Sequence, residues 1–205
     1  MKNYIVINGQ QIALTEEQVK QIIEAHGQES PGTKLADVPA GELVNIGGYE
    51  FLVLEQLEDS TVVICKDLIG NTTEFGENNN YDGSYVDDIC NSFSEAIADA
   101  AGEDNLVSHT VDLTSDDGLK DYGTVERRVS LLTAEQYRKY VSILDKCNPR
   151  KWWWLATPFS TPAHDHDTCA KCVSPSGLVN GVGCISVNFG VRPFCILKSS
   201  IFVSR

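Results

Sequence analysis

The start of the chain alternates apolar and polar residues in a way that predicts a small hairpin followed by a helix. Residues 4–7 and 11–14 alternate on either side of Asn8-Gly9, a dipeptide that favours a two-residue type I′ turn. A capping box, Thr15–Gln18, then predicts the first turn of a helix. We therefore expect residues 1–30 to form a ββα unit, whose apolar face is too small to be stable unless it packs on something else.

The rest of the chain mixes short strands with two helices. Residues 31–40 contain Pro and Gly and are expected to be a linker to a second domain, residues 41–205. Helical periodicity marks residues 85–101, and a second capping box at Thr133–Gln136 predicts another helix. Strands are expected at 43–54, as two strands around Gly47-Gly48, at 61–67 and around Trp152–Leu155. The expected fold class is α+β.

The charge of the chain restricts its partners. Its 205 residues include 16 Lys and Arg against 29 Asp and Glu, so the formal net charge is −13. An acidic protein is poorly suited to nucleic acid or to an anionic membrane surface. No apolar run approaches the roughly 18 residues of a membrane-spanning helix, so no direct membrane insertion is expected. The N-terminus lacks the pattern of a signal peptide, which predicts synthesis in the cytoplasm.

The cysteines are expected to be reduced thiols. There are seven of them, an odd number, in a chain without a secretion signal. Cys65 and Cys195 each lie in an apolar strand, and free cysteine is among the residue types most often buried. Both are therefore predicted to be core residues.

One short segment concentrates side chains that bind metals. His164, His166, Cys169 and Cys172 offer two nitrogens and two thiolates, the ligand set of a tetrahedral zinc site. A four-ligand site within nine residues requires a strongly bent loop. An ordinary polar surface loop is the alternative, and the sequence leaves both open.

Two motifs near the C-terminus predict scaffold positions. Pro193 fixes its own φ and makes Arg192 extended, and Arg192 is expected to pair with a partly buried carboxylate rather than with a ligand. Trp153 and Trp154 are large apolar anchors and are expected in the core. Trp152 lies on the opposite side of its strand, where contact with a ligand is the alternative to packing.

From residue 41 onward the chain carries six motifs in a fixed order: Gly47–Leu54, Ile89–Phe93, Val129–Thr133, Trp153–Pro158, Val173–Gly177 and Gly190–Pro193. This order resembles the DUF6273 family of bacterial and phage proteins. That family is similar to the formylglycine-generating-enzyme type of C-type lectin fold, and the resemblance covers about residues 40–205. It implies a C-type lectin-like domain with short strands and two main helices, preceded by the ββα unit.

The resemblance implies a binding protein more than an enzyme. Formylglycine-generating enzymes use two cysteines that bind copper, and Cys184 and Cys195 are the closest candidates, but neither lies in a segment that matches the catalytic motif. The chain has no Gly-x-Ser-x-Gly, Walker or His-Glu-x-x-His motif. Asp112–Gly118 and Glu77–Asp82 are expected to be solvated turns, although lectin-type folds often bind Ca²⁺ in such loops. No catalytic residue, metal or cofactor is therefore assigned.

The same resemblance points to a recognition surface near the C-terminus. Some lectin-fold proteins of this kind are targets of diversity-generating retroelements, which rewrite Asn codons into codons for residues such as His, Asp, Cys, Ser and Gly. Residues 164–189 are rich in those types and lie just before the Gly-Val-Arg-Pro motif. The predicted ligand-binding residues are His164, Asp165, His166, Asp167, Lys171, Asn180, Ser186, Asn188 and Phe189.

The natural setting of the resembling families predicts the partners. A host or cell-surface protein or glycan is expected as the ligand, with the chain on a virion or exported by a non-classical route. Residues 1–30 would attach the domain to a phage structural partner or drive homo-oligomerisation. A zinc-stabilised structural protein and an oxidase-like enzyme are the alternatives.

Overall fold

The two strands predicted at the N-terminus pair with each other, and the second begins one residue earlier than expected. The structure, a computed structural model, describes residues 4–7, 10–18 and 32–205. The chain divides into two units, Met1–Gly32 and Thr33–Arg205. In the first, β1 (Tyr4–Ile7) pairs antiparallel with β2 (Gln10–Ala13), with Ile7 opposite Gln10. Two residues separate the strands, as a two-residue turn requires.

The Thr15–Gln18 capping box is also present. The backbone N–H of Thr15 donates to Oε1 of Gln18 at 3.0 Å, and the N–H of Gln18 donates to Oγ1 of Thr15 at 3.2 Å. These reciprocal bonds satisfy two donors that a helix start otherwise leaves unpaired. The predicted turn residues Asn8-Gly9 and the helix beyond residue 18 lie outside the described residues.

The second unit is a mixture of strands and two α-helices, α1 (Tyr85–Ala101) and α2 (Ala134–Leu144). Its strands are β3 (Thr33–Lys34), β4 (Leu43–Ile46), β5 (Tyr49–Gln56), β6 (Ser60–Cys65), β7 (Ile69–Thr73), β8 (Leu106–Val107), β9 (His109–Asp112), β10 (Thr124–Arg127), β11 (Val129–Leu131), β12 (Trp153–Pro158), β13 (Cys169–Val173), β14 (Val179–Gly183), β15 (Phe189–Val191), β16 (Pro193–Lys198) and β17 (Phe202–Val203). The predicted α+β class is confirmed.

Two sheets organise these strands. The first has the order β11-β16-β6-β5-β4, with β8 paired to β16, and the second has the order β14-β13-β12-β15-β7. Strands β12 and β15 are parallel, with Trp153 opposite Gly190. Strands β9 and β10 form a separate antiparallel pair, and β17 pairs with β3, which joins the two ends of the unit.

The first sheet is buried on both faces, which explains its continuous apolar strands. Phe51 and Val53 of β5 belong to a core cluster that also contains residues of α1. Leu52 and Leu54, which point to the other face, pack in a second cluster with residues of α2. A strand covered on both faces loses the apolar–polar alternation of a half-exposed strand.

Both helices begin where the sequence predicts. The side chain of Ser84 accepts the N–H of Asp87 at the start of α1. Thr133 and Gln136 form a complete capping box before α2. Among the described residues, no helix combines the length and the apolar character needed to cross a bilayer.

Residues 33–40 differ from the expected linker. Thr33 and Lys34 pair with β17, and Leu35 and Val38 are fully buried. The side-chain amide of Gln56 donates to the carbonyls of Leu35 at 2.9 Å and Val38 at 2.7 Å. The Pro and Gly residues on either side suggest a linker, but Leu35 and Val38 are core residues. Composition does not predict contacts with residues that are distant in the sequence.

The two adjacent tryptophans are in the core, as predicted. Trp153 and Trp154 are fully buried, and each belongs to a different core cluster because successive strand residues point to opposite faces. Cys65 and Cys195 are also buried, as predicted, and all seven cysteines are free thiols.

The carboxylate partner predicted for Arg192 is wrong. The side chain is fully buried, and its guanidinium donates to three backbone carbonyls, those of Cys65 at 2.9 Å, Lys66 at 3.1 Å and Cys147 at 2.8 Å. Burial lowers the pKa of Arg192 to about 10. Carbonyl oxygens at strand and helix ends carry enough negative charge to hold the guanidinium without an anion.

Candidate recognition surface

The β13–β14 hairpin brings two predicted ligand-binding segments together. Cys169 at the start of β13 is opposite Gly183 at the end of β14. Beyond that pair, the N–H of Cys184 donates to the carbonyl of Thr168 at 2.8 Å. The loop before β13 and the loop after β14 therefore lie side by side. We call residues 162–168 and 185–188 the recognition surface.

A buried asparagine fixes the first of these loops from beneath. Asn79 is fully buried, and its Nδ2 donates to the carbonyls of Ser160 at 2.9 Å and Cys169 at 2.8 Å. Its Oδ1 accepts the hydroxyl of Tyr122 at 2.8 Å, and its backbone N–H donates to the carbonyl of Asp167 at 2.8 Å. The sequence predicts only a polar turn here, and no sequence signal distinguishes Asn79 from its two Asn neighbours.

The second loop is held by the same segment of chain. The N–H of Phe75 donates to the carbonyl of Cys184 at 2.8 Å. Residues 75–79 thus bond to the first loop at Asp167 and to Cys184, directly before the second loop, and Phe75 is itself fully buried. A support of this kind reduces the conformational entropy that a loop loses when it binds a partner.

The second loop exposes two apolar side chains that the sequence analysis does not include. Ile185 is 73% exposed and Val187 is 53% exposed, with half-buried Ser186 between them and exposed Asn188 after them. Apolar side chains that lie together on a surface mark interaction sites more often than scattered ones do. Their alternation with polar residues over a short loop is the signal that was available in the sequence.

A carboxylate network fixes the start of the first loop. His164 Nδ1 lies 3.0 Å from Oδ2 of Asp117, and the hydroxyl of Ser160 donates to the same oxygen at 2.7 Å. Hydrogen bonds from Ser115, Ser160 and His164 lower the pKa of Asp117 well below its usual range. Thr161 donates to Asp121 at 2.8 Å. The predicted turn is present at Asp116 and Asp117, whereas Asp112 ends β9 and Ser115 is buried, so the segment is less solvated than expected. The carboxylate of Asp117 holds the first loop in place.

Phe159 adds an aromatic contact that the sequence analysis missed. Its ring is 41% exposed, lies 5.3 Å from the ring of His166, and has Lys171 Nζ 5.3 Å from its centroid. The ring also covers Gly181, where an added Cβ would come within 2.7 Å of its Cδ2 atom. An aromatic residue directly after the Ala-Thr-Pro of β12 is the sequence feature that marks it.

Two predicted ligand-binding residues, Lys171 and Phe189, are buried, so their assignment to an exposed recognition surface is wrong. Lys171 donates to Oδ2 of Asp116 at 2.9 Å, and Asp116 also accepts from Arg138 at 3.1 Å. Phe189 packs 5.4 Å from Trp152 and 4.5 Å from Trp154, measured between ring centroids. Trp152 itself stays partly exposed.

Asn180 lies apart from the other predicted residues. It is opposite Cys172 in the hairpin, whereas Lys171 is opposite Gly181, so Asn180 and Lys171 lie on different faces. Its amide donates to the carbonyl of Leu178 at 3.1 Å. The predicted residues that the fold gathers at the recognition surface are His164, Asp165, His166, Asp167, Ser186 and Asn188.

The four residues considered for zinc do not converge. The Cys172 thiol is buried, donates to the carbonyl of Asn180 at 3.7 Å, and has a pKa raised by burial to about 11. His164 pairs with Asp117, as described above. Within residues 4–7, 10–18 and 32–205, no three side chains of His, Cys, Asp or Glu are arranged to hold a metal ion.

Cys184 and Cys195 also lie in different elements. Cys184 follows β14 in the second sheet, whereas Cys195 is opposite Val63 in the first. Burial raises the pKa of each thiol to about 12, so both are protonated at neutral pH. A metal ligand or a nucleophile requires the thiolate.

Comparison with known proteins identifies no relative. No protein-family model, no curated protein and no solved structure gives a significant match to the chain.

Proposed function

We propose that the chain is a non-catalytic binding protein whose recognition surface contacts a host or cell-surface protein or glycan. The observation that carries this proposal is the buried Asn79, whose side chain donates to the carbonyls of Ser160 and Cys169 on either side of the first loop, while residues 164–167 and 185–188 remain at least partly exposed. Rigidly held loops that present mixed apolar and polar side chains are typical of binding sites.

We also propose that residues 41–205 adopt a C-type lectin-like fold of the formylglycine-generating-enzyme type, related to the DUF6273 family. The α+β class, the two main helices and the short strands support this proposal. The burial of Trp153, Trp154 and Arg192 also supports it, because two motifs of the resemblance contain these residues as scaffold positions. The N-terminal unit would then attach the domain to a larger phage or bacterial assembly.

Binding of purified chain to host-cell surface fractions and to arrayed glycans tests the first proposal. Ile185→Asp, Val187→Asp and Asn188→Ala should each weaken binding by about fivefold or more, which corresponds to about 1 kcal/mol. The melting temperature should be unchanged, because these side chains are exposed. Asn91→Ala and Leu57→Asp, exposed elsewhere, are the matched controls. Equal losses in the controls, or unfolding of the surface variants, would contradict the proposal.

Diversification of the surface is a separate proposal with its own test. A nearby reverse-transcriptase gene and a near-copy of the codons for residues 164–189, differing at adenines, should accompany the gene. Within that copy, the differences should spare the buried residues Lys171 and Phe189, because substitutions there disturb internal contacts. The absence of both genomic features would contradict diversification without affecting the binding proposal.

A further inference from the structure

A groove of about 580 Å³ lies away from the recognition surface, between α1 and the start of β5. Ile89, Phe93 and Ala96 of α1 form one wall. Tyr49 and Leu68 also line it. The volume is in the range of roughly 300–1,000 Å³ that small-molecule sites occupy.

The apolar lining of the groove is pre-formed. The rings of Tyr49 and Phe93 meet edge to face, with centroids 4.8 Å apart and an interplanar angle of 85°. Phe93 in turn stacks on buried Phe51, which fixes its ring against the core. Tyr49 nevertheless remains 41% exposed, so part of this residue is available to a ligand. A fixed aromatic wall suits a ligand with a flat or alkyl apolar body.

The charged groups around the groove are mostly carboxylates. Glu50 and Asp67 both line it, and Lys66 neutralises Glu50 at 2.7 Å. Asp67 is exposed and makes no ion pair with any described residue. Helix α1 carries four acidic residues and no Lys or Arg, and three of the acidic residues are exposed: Asp88, Glu95 and Asp99. The groove therefore lies in a negative field that attracts cations and repels anions.

We propose that this groove binds a small organic cation with an apolar body, such as an arylalkyl amine. The apolar body would contact Tyr49 and Phe93, and the protonated amine would pair with Asp67. Cations are also attracted to aromatic faces, so both parts of the lining favour the same ligand class. The site shares no residue with the recognition surface and does not depend on the function proposed for it.

Three probes of the same shape but different charge test this inference: phenethylamine, 2-phenylethanol and phenylacetate, titrated into the full chain and followed by NMR chemical shifts. The amine should bind with a dissociation constant of about 1 mM or lower, as expected for a ligand of this size. It should shift the signals of Tyr49, Phe93 and Asp67. The alcohol should bind about threefold more weakly than the amine, because it lacks one exposed ion pair. Phenylacetate should bind about tenfold more weakly than the amine.

Two variants and a control locate the site. Asp67→Asn should lower the affinity for the amine to that for the alcohol. Asp59→Asn, at an exposed position outside the groove, should leave the affinity for the amine unchanged. Ala96→Phe, at an exposed helix position, should fill the groove and weaken all three probes without changing the helical circular dichroism. Equal affinities for amine and carboxylate, or no effect of Ala96→Phe, would overturn the inference. Binding of a basic amphipathic peptide without binding of the amine would also overturn it.

Discussion

The guanidinium of Arg192 lies over the indole ring of Trp153, 5.3 Å from the ring centroid, and both side chains are fully buried. A buried cation normally requires an anion, but this one is held by an aromatic face and three carbonyl oxygens. Arg192 thereby ties the end of β6 to the segment around Cys147, two parts of the chain that are more than 80 residues apart. Its role is structural.

Substitution of Arg192 should therefore destabilise the fold strongly. Arg192→Met removes the donors to three backbone carbonyls, that of Cys65 buried and those of Lys66 and Cys147 partly buried, and should lower the free energy of unfolding by about 3 kcal/mol or more. Arg192→Lys should rescue little of this loss, because an ammonium cannot reproduce the spread of the guanidinium donors. Urea denaturation measures both. Arg138→Met, with a side chain that is 59% exposed, should cost only about 0.5 kcal/mol or less. A similar cost for Arg192→Met would show that the carbonyl contacts contribute little.

Asn79 should be as important for the recognition surface as Arg192 is for the core. Asn79→Ala removes the donors to Ser160 and Cys169 and the acceptor for Tyr122, and should lower the free energy of unfolding by about 2 kcal/mol or more. Asn79→Ala should accelerate amide hydrogen exchange over residues 160–169 and should leave exchange in α1 nearly unchanged. Asn78→Ala, at an exposed neighbouring position, is the matched control. Equal exchange rates in the two variants would remove Asn79 from this role.

The contrast between Asn79 and α1 shows what the sequence predicts and what it does not. Helix α1 has the predicted bounds, because its apolar spacing and its N-terminal cap are local features. Asn79, by contrast, bonds to Ser160, 81 positions along the chain. The buried Lys171 donates to Asp116, 55 positions away. Such pairings depend on the topology of the sheets, and neither periodicity nor composition reports them.

His109 should make stability depend on pH below neutrality. Its Nε2 lies 2.9 Å from the hydroxyl of Ser130, its ring contacts Phe194, and burial lowers its pKa to about 4. Between that value and the ordinary pKa of about 6.5, the unfolded state binds a proton that the folded state does not. The free energy of unfolding should therefore fall as the pH drops through this interval, by about 3 kcal/mol in all.

Urea denaturation at pH 7, 6 and 5 tests this dependence on His109. His109→Gln should be less stable than the wild type at pH 7 but should lose most of the decline between pH 7 and pH 5. His166→Gln, at a half-buried loop position, controls for the loss of an imidazole and should retain the wild-type decline. If His109→Gln declines as steeply as the wild type, another group is responsible.

Gly190 is constrained by a close neighbour, not by a turn. It lies in β15, and an added Cβ would come within 2.4 Å of Cδ1 and 3.1 Å of Cβ of Leu68. Gly190→Ala should therefore lower the free energy of unfolding by about 1–3 kcal/mol through overpacking. Gly183→Ala, where the nearest atom is the Thr168 carbonyl oxygen at 4.0 Å, should have little effect. Leu68→Ala should relieve the clash, so the double variant should be more stable than the sum of the two single changes predicts. Additive losses in this double-mutant cycle would show that Leu68 is not the cause.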